Sequence, residues 1–216
     1  MIADVSRGRE MPKLMVEDEA GSSVAKVGGR PVATPNIKWP ICRSCKGAMQ
    51  FLAQLPLSEC ENLSPVRDSQ VLLIFQCQNN PGMCDEWDAE AGGNAALIVD
   101  ESGHVHLTVP EGRTLLPSES RLRFVAFESR PGDSPDDAYC TAFDEPASRV
   151  VGKVGGEPLW IQGDETPQCG CGNRMSFICQ LEARGGGGIN FGDAGAGYAF
   201  LCPKCTDQAR FLWQCV

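Results

Sequence analysis

The 216-residue chain predicts a mainly β fold, an α+β arrangement with few and short helices, built as two pseudo-symmetric repeats that each close on four cysteines. Three observations carry this reading. Glycine and proline are abundant, at 24 and 15 residues, which favours turns and short strands over long helices. Twelve cysteines occur, mostly in close pairs. The sequence also repeats itself at offsets of 125 to 127 residues.

The repeat opens with Lys26-Val27-Gly28-Gly29-Arg30-Pro31, which returns as Lys153-Val154-Gly155-Gly156-Glu157-Pro158 at an offset of 127. CKGAMQFLAQL from Cys45 then matches CGNRMSFICQL from Cys171 at 126, pairing Met49 with Met175, Phe51 with Phe177, Gln54 with Gln180 and Leu55 with Leu181. IFQC ending at Cys77 matches AFLC ending at Cys202 at 125, and Asp68 falls opposite Asp193. Upstream, VEDEA before the first KVGG resembles AFDEPA before the second. The chain therefore divides into an N-terminal arm (1–11), a first repeat (12–100), inserted strands and a linker (101–137) and a second repeat (138–216).

Within a repeat the expected order is a Gly-Gly turn, a segment with one tryptophan (Trp39 or Trp160), a cysteine knuckle, and a strand such as MQFLAQL. A second strand such as VLLIFQC follows. Those strands mix alternation with continuous apolar runs, the pattern of sheet centres. The insert adds AALIVD, HVHLTVP and LRFVAFES as three further strands, and SRPGDSPDDAY from Ser129 is the best linker. Trp39 and Trp160 occupy equivalent positions, which assigns them to core packing.

The cysteines carry the chemistry. Cys42 and Cys45 form a CxxC pair, and Cys77 and Cys84 bracket a turn-rich QNNPGM loop. In the second repeat Cys169 and Cys171 form CxC, and Cys202 and Cys205 a second CxxC. Each set of four fits a closed tetrahedral shell of thiolates, the structural class of zinc site, so two structural zinc ions are expected. Such a clamp joins distant hairpins in a unit of under ~90 residues that has few large apolar residues. The competing reading is disulfides or unrelated buried thiols. Cys60, Cys140, Cys179 and Cys215 fall outside the pairs and read as small core or loop residues.

Charge and missing motifs narrow the function. Nineteen basic against 28 acidic residues give a net charge of −9, the wrong sign for a phosphate-binding surface, so nucleic acid is disfavoured. No run approaches the ~20 apolar residues of a membrane span, and the acid-bearing N-terminus lacks an apolar signal core, so a cytoplasmic protein is expected. No HExxH, GxSxG, GxxxxGK[ST] or strand-linked GxGxxG appears, and four-thiolate shells leave no position for a reacting water. His104 and His106 share one face of a strand and lack a third ligand. Gly185 to Gly188 with GDAGAGY reads as a hairpin loop. The leading expectation is a protein-binding module, a chaperone or adaptor, whose basic client or extended peptide meets acidic runs such as Glu17-Asp18-Glu19, Asp85-Glu86 with Asp88, and Asp133 with Asp136-Asp137. The alternatives are a zinc-ribbon nucleic-acid binder, through Arg43, Lys46, Arg174 and Lys204, and an enzyme with an unrecognised site.

The combination of KVGGRP, a tryptophan, CxxC and MQFLAQL resembles the uncharacterised YwqG-like domain family of bacteria. With the flanking cysteines it is also similar to the zinc-containing eukaryotic programmed cell death protein 2 family, over both repeats. The second resemblance implies a duplicated, mostly β unit with cysteine-bound zinc and a chaperone for a newly made small-subunit ribosomal protein. It makes Lys26 to Pro31, Cys42, Cys45, Phe51, Gln54, Leu55, Cys77 and Cys84 scaffold positions. Their equivalents are Lys153 to Pro158, Cys169, Cys171, Phe177, Gln180, Leu181, Cys202 and Cys205.

Overall fold

The computed structural model describes residues 11–34, 37–60, 69–100, 105–127, 135–143 and 149–216. The fold is mainly β. Strands β1 (Lys13–Gly28), β3 (Gln50–Pro56), β4 (Gln70–Gln76) and β5 (Asn94–Asp100) come from the first half of the chain. Strands β8 (Val150–Val154), β9 (Ser176–Glu182), β10 (Ala196–Leu201) and β11 (Ala209–Gln214) come from the second. They form one sheet in the order β11-β10-β9-β8-β1-β3-β4-β5, and β7 (Glu119–Ala126) runs antiparallel along β1. Read outward from the β8–β1 seam, both halves follow the same order. Short β2 (Val32–Ala33) and β6 (Val105–His106) pair separately.

The duplication holds at the level of single strand pairs. Lys26 and Val27 lie opposite Gln54 and Ala53, while Lys153 and Val154 lie opposite Gln180 and Cys179. Phe51 faces Phe75 and Phe177 faces Phe200, and a bulge follows each aromatic pair, at Leu52 and at Ile178. The turn after each KVGG start is also the same. Gly28 and Gly29, like Gly155 and Gly156, have φ near +70°, and any Cβ on Gly28 would lie 2.0 Å from the Ser118 carbonyl oxygen. The left-handed turn brings the carbonyl oxygens of Arg30 and Glu157 onto the buried ammonium groups of Lys26 and Lys153. Gln54 Oε1 accepts from Val32 N–H and Gln180 Oε1 from Leu159 N–H, both at 2.9 Å. The motif residues thus satisfy backbone groups that the sharp turn would otherwise strand.

The ends of the sheet meet. β5 and β11 touch, the Trp213 N–H donates to the Trp87 carbonyl at 3.2 Å, and the two indoles lie 6.3 Å apart edge to face. Curling this way, the sheet encloses a central core in which Leu52, Leu55 and Ile74 of one half meet Leu181, Leu201 and Phe211 of the other. The opposite face of each half has its own cluster, around Phe51, Leu73 and Phe75 in the first and Tyr198, Phe200 and Leu212 in the second. β3 and β4 are covered on both faces, which is why their sequences read as near-continuous apolar runs. Trp39 packs edge-on to Phe75 at 5.4 Å, and Trp160 stacks on Phe200 at 5.9 Å, so both serve packing as their equivalence required.

Three expectations change. The segment assigned as linker is partly helical: α1 spans Pro135–Phe143, with residues 128–134 outside the described set. Pro135 suits a first helical turn, and Tyr139 pins the helix by packing tilted against Phe127 and edge-on against Phe143 and by donating to Glu182 Oε1 at 2.6 Å. VEDEA lies in β1, whereas Ala142 and Phe143, the described part of AFDEPA, end α1; residues 144–148 lie outside the described set. Among the described residues of HVHLTVP, which exclude His104, only Val105 and His106 are strand. No described helix is long and apolar enough to cross a membrane.

Candidate metal centres

The start of β3 lies beside the end of β4, with Gln50 opposite Gln76, and β9 and β10 repeat this with Ser176 opposite Leu201. One cysteine pair precedes the first strand of each couple and the other follows the second. Antiparallel pairing therefore carries four thiols to one edge. Cys42, Cys45, Cys77 and Cys84 gather with every Sγ within 4.8 Å of the others, and Cys169, Cys171, Cys202 and Cys205 do the same. Individual separations are 3.6 Å for Cys45–Cys77, 3.5 Å for Cys171–Cys202 and 3.9 Å for Cys169–Cys205. An ion bound tetrahedrally at about 2.3 Å from each sulfur sets them about 3.8 Å apart, whereas a disulfide needs about 2.05 Å. The tetrads have the spacing of metal ligands and not of disulfides, and no cysteine of the chain is bonded to another.

The knuckles are built alike. Cys42 N–H donates to Gly47 O and Met49 N–H to Pro40 O, at 2.9 and 3.0 Å; Cys169 N–H donates to Asn173 O and Met175 N–H to Pro167 O at the same distances. Lys46 and Gly172, equivalent positions, both take left-handed backbone with φ of 63° and 86°. The missing residue of CxC is absorbed inside this hairpin, between the matching bridges Ile41–Ala48 and Gln168–Arg174. At the other end of each site, Cys77 N–H donates to Gly93 O and Cys202 N–H to Gln208 O, tying the second pair to the strand that follows.

Hydrogen bonds to sulfur complete the shells. Asn79 Nδ2 reaches Cys77 Sγ at 3.4 Å and Cys45 Sγ at 3.6 Å, while Asn173 Nδ2 reaches Cys171 Sγ at 3.2 Å. In the second site the backbone N–H groups of Lys204 and Cys205 also donate to Cys202 Sγ, at 3.4 and 3.3 Å. Such donors stabilise thiolate over thiol and orient the ligands. The N–H of Gly47 is the main cause holding Cys45 down to about 7, and the Asn173 side chain that holding Cys171 down to about 6. Burial pushes Cys84 well up, and the neighbouring sulfur of Cys171 is the main cause raising Cys205 to about 12. Each tetrad therefore sets one exposed thiol that is held down, Cys45 or Cys171, beside one that is pushed up, Cys84 or Cys205.

Glu86 takes a role its acidic neighbourhood concealed. It is 1% exposed, and its carboxylate accepts from Gly82 N–H and, at 3.2 Å, from Cys84 N–H, so it organises the loop that delivers Cys84. Asp88 caps the next turn through Glu90 and Ala91 N–H. Glu17 and Asp18 pair with Arg184 and Arg123 at 3.3 and 3.1 Å. Asn79 and Asn173 were also unmarked by the cysteine pattern; an asparagine two residues after Cys77 and after Cys171 is the signal that could have found them. Among the remaining cysteines, Cys60 and Cys179 lie in the central core, Cys140 is exposed and Cys215 half-buried. His106 is exposed on β6 and joins no ligand cluster among the described residues; His104 lies outside them.

Besides the tetrads, the described residues form a groove and a larger cleft at the surface. A groove of about 550 Å³ lies along the β5–β11 closure, lined by Trp87, Asp88, Glu90, Glu165 and Arg210 and bordered by Cys169. A cleft of about 930 Å³ lies between the insert and the glycine-rich 185–188 loop. The family model described as Domain of unknown function (DUF1963) matches residues 25–215. None of the curated proteins matches the chain.

Proposed function

The chain belongs to this family of domains of unknown function, and from that premise we propose that it is a protein-binding module, a chaperone or adaptor for a basic client segment, stapled by two structural zinc ions. The observation that carries the reading is the groove at the sheet closure. Asp88, Glu90 and Glu165 face it against Arg210, the one cation among the described residues that line it, and Arg210 Nε is itself held by Glu90 at 2.9 Å. Trp87, 41% exposed, offers an aromatic wall. An extended segment rich in lysine or arginine meets both needs, by charge complementarity along the groove and by stacking of a cation on the indole. Two four-thiolate zinc centres would each add a formal charge of −2 and deepen the field.

Zinc's part is mechanical. Each ion would clamp the hairpin before β3 or β9 to the loop after β4 or β10, and the second clamp borders the groove through Cys169. Four thiolates with N–H donors around them suit zinc in the reducing cytoplasm. The resemblance to the YwqG-like and programmed cell death protein 2 families supports the same scaffold and a basic, newly made client. The basic residues near the knuckles favour a protein over a nucleic acid: Arg43 donates to Glu90 O, Lys46 to Arg43 O, and Arg174 pairs with Asp164, so three of the four are engaged within the chain.

The test is calorimetric titration of the metal-loaded chain with a lysine- and arginine-rich peptide and with its charge-reversed counterpart. The basic peptide should bind, with an affinity that falls as salt rises, and Glu90→Lys with Glu165→Lys should weaken it by roughly tenfold or more. Equal binding of both peptides, or none of either, overturns the proposal.

A further inference from the structure

The larger cleft carries chemistry of the opposite sign. Its walls come from three places: Gln50 and Gln78 at the end of the β3–β4 couple, Arg113 in the insert, and Arg184, Gly187 and Asn190 around the glycine-rich loop after β9. In a chain where acids outnumber bases, no carboxylate stands among the described residues that line it, while two arginines do. Arg184 is oriented by Glu17 and by the Val150 carbonyl, at 3.3 and 3.1 Å. Arg113 is exposed on the rim and forms no ion pair with a described residue.

Gln78 makes the cleft more than a basic depression. Its side chain is buried, at 7% exposure, yet its Nε2 has no hydrogen-bond partner among the described residues. An unsatisfied buried donor costs about 1–3 kcal/mol, and a ligand oxygen is a partner that would remove that cost. The opposite wall is fixed, because Gln76 Nε2 donates to Asn190 O at 3.2 Å and Arg184 N–H to Ile189 O at 2.8 Å. We infer that this cleft binds a small molecule bearing an oxyanion, a carboxylate or a phosphate ester, with Gln78 Nε2 donating to the oxyanion and Arg113 closing over it as counter-charge. The site is separate from the acidic groove and does not depend on it.

The inference is tested by titrating the ¹⁵N-labelled, metal-loaded chain with inorganic phosphate and, separately, with succinate, following the Gln78 side-chain amide signal, assigned by its loss in Gln78→Leu. At least one anion should shift that signal saturably below about 10 mM. Saturation by phosphate alone identifies a phosphate ester, and by succinate alone a carboxylate. Arg113→Ala, at an exposed position that leaves the fold intact, should weaken the binding by roughly tenfold, and Gln78→Glu, which turns the donor into a repelling carboxylate, should abolish it, read in that variant from the backbone amide signals of Gly187 and Gly188 on the facing wall. The inference fails if neither anion moves the signal, or if Arg113→Ala binds as tightly as the parent chain.

Discussion

At the first tetrad the amide that reaches the sulfurs belongs to Asn79, whose side chain lies across Gly47, where an added Cβ would stand 2.6 Å from Nδ2. At the second tetrad the amide is carried by Asn173, which occupies Gly47's equivalent position. The hairpins and strand registers are common to both sites, but the group that stabilises thiolate has moved from one loop to the other. The second pairs differ too. Cys202 and Cys205 sit in a tight turn whose own N–H groups donate to sulfur, whereas Cys77 and Cys84 are joined by a longer loop that needs the buried Glu86. What the duplication preserved is the backbone frame and the placement of four sulfurs, and each copy solved the surrounding hydrogen bonding separately.

Removing a ligand tests what is common. Cys77→Ser and Cys202→Ser should each drop the metal content from two ions to one, and the loss of a site that contributes several kcal/mol to folding should lower the melting temperature by about 10 °C or more. Metal analysis with calorimetry checks this, and an unchanged ion count in either variant would break the equivalence. Glu86→Ala tests what is private to the first copy. It leaves the Gly82 and Cys84 N–H groups without their acceptor, a cost of about 1–3 kcal/mol, and should speed chelator release of one ion while leaving the other as slow as before.

A smaller effect sharpens the amide exchange. Gly47→Asn alone should destabilise by about 1–3 kcal/mol through collision with Asn79, and Asn79→Ala in the same chain should recover about 1 kcal/mol or more, because Asn at 47 then mimics Asn173. Additive costs in the double-mutant cycle would show that the two amides are unrelated. The smallest difference lies in titration. A thiol held down loses its proton earlier as pH rises, so in the metal-free chain Cys171 should reach half its maximal alkylation rate near pH 6 and Cys45 near pH 7. Mass-spectrometric alkylation profiles in the reverse order would contradict the hydrogen-bond account.

Much of this was legible in the sequence because a repeat with paired cysteines encodes its own alignment. The two cysteine tetrads, the equivalence of Trp39 with Trp160, and strands such as Gln50–Pro56 and Gln70–Gln76 all follow from it. What stayed hidden depends on partners distant in the chain. β1 reads locally as a charged segment, yet Glu17 and Asp18 are matched by Arg184 and Arg123, and its first residues pair with β8 while its last pair with β3. Pro135 and the acidic pair after it look like linker until Tyr139 finds Phe127, Phe143 and Glu182. Glu86 looks like surface charge until the 82–84 backbone turns back on it. Periodicity reports which face of an element is apolar and is silent on which distant group will satisfy a charge.

Two independent ions, each bound by one of the cysteine tetrads, are proposed to hold this fold. Metal analysis of the chain purified without added metal or chelator, combined with thiol counts before and after chelation under denaturing conditions, tests that proposal most directly. The account predicts two zinc ions per chain and the unmasking of the eight tetrad cysteines, with the other four unaffected by the chelator. A chain with no bound metal and with its paired cysteines joined as disulfides would contradict it.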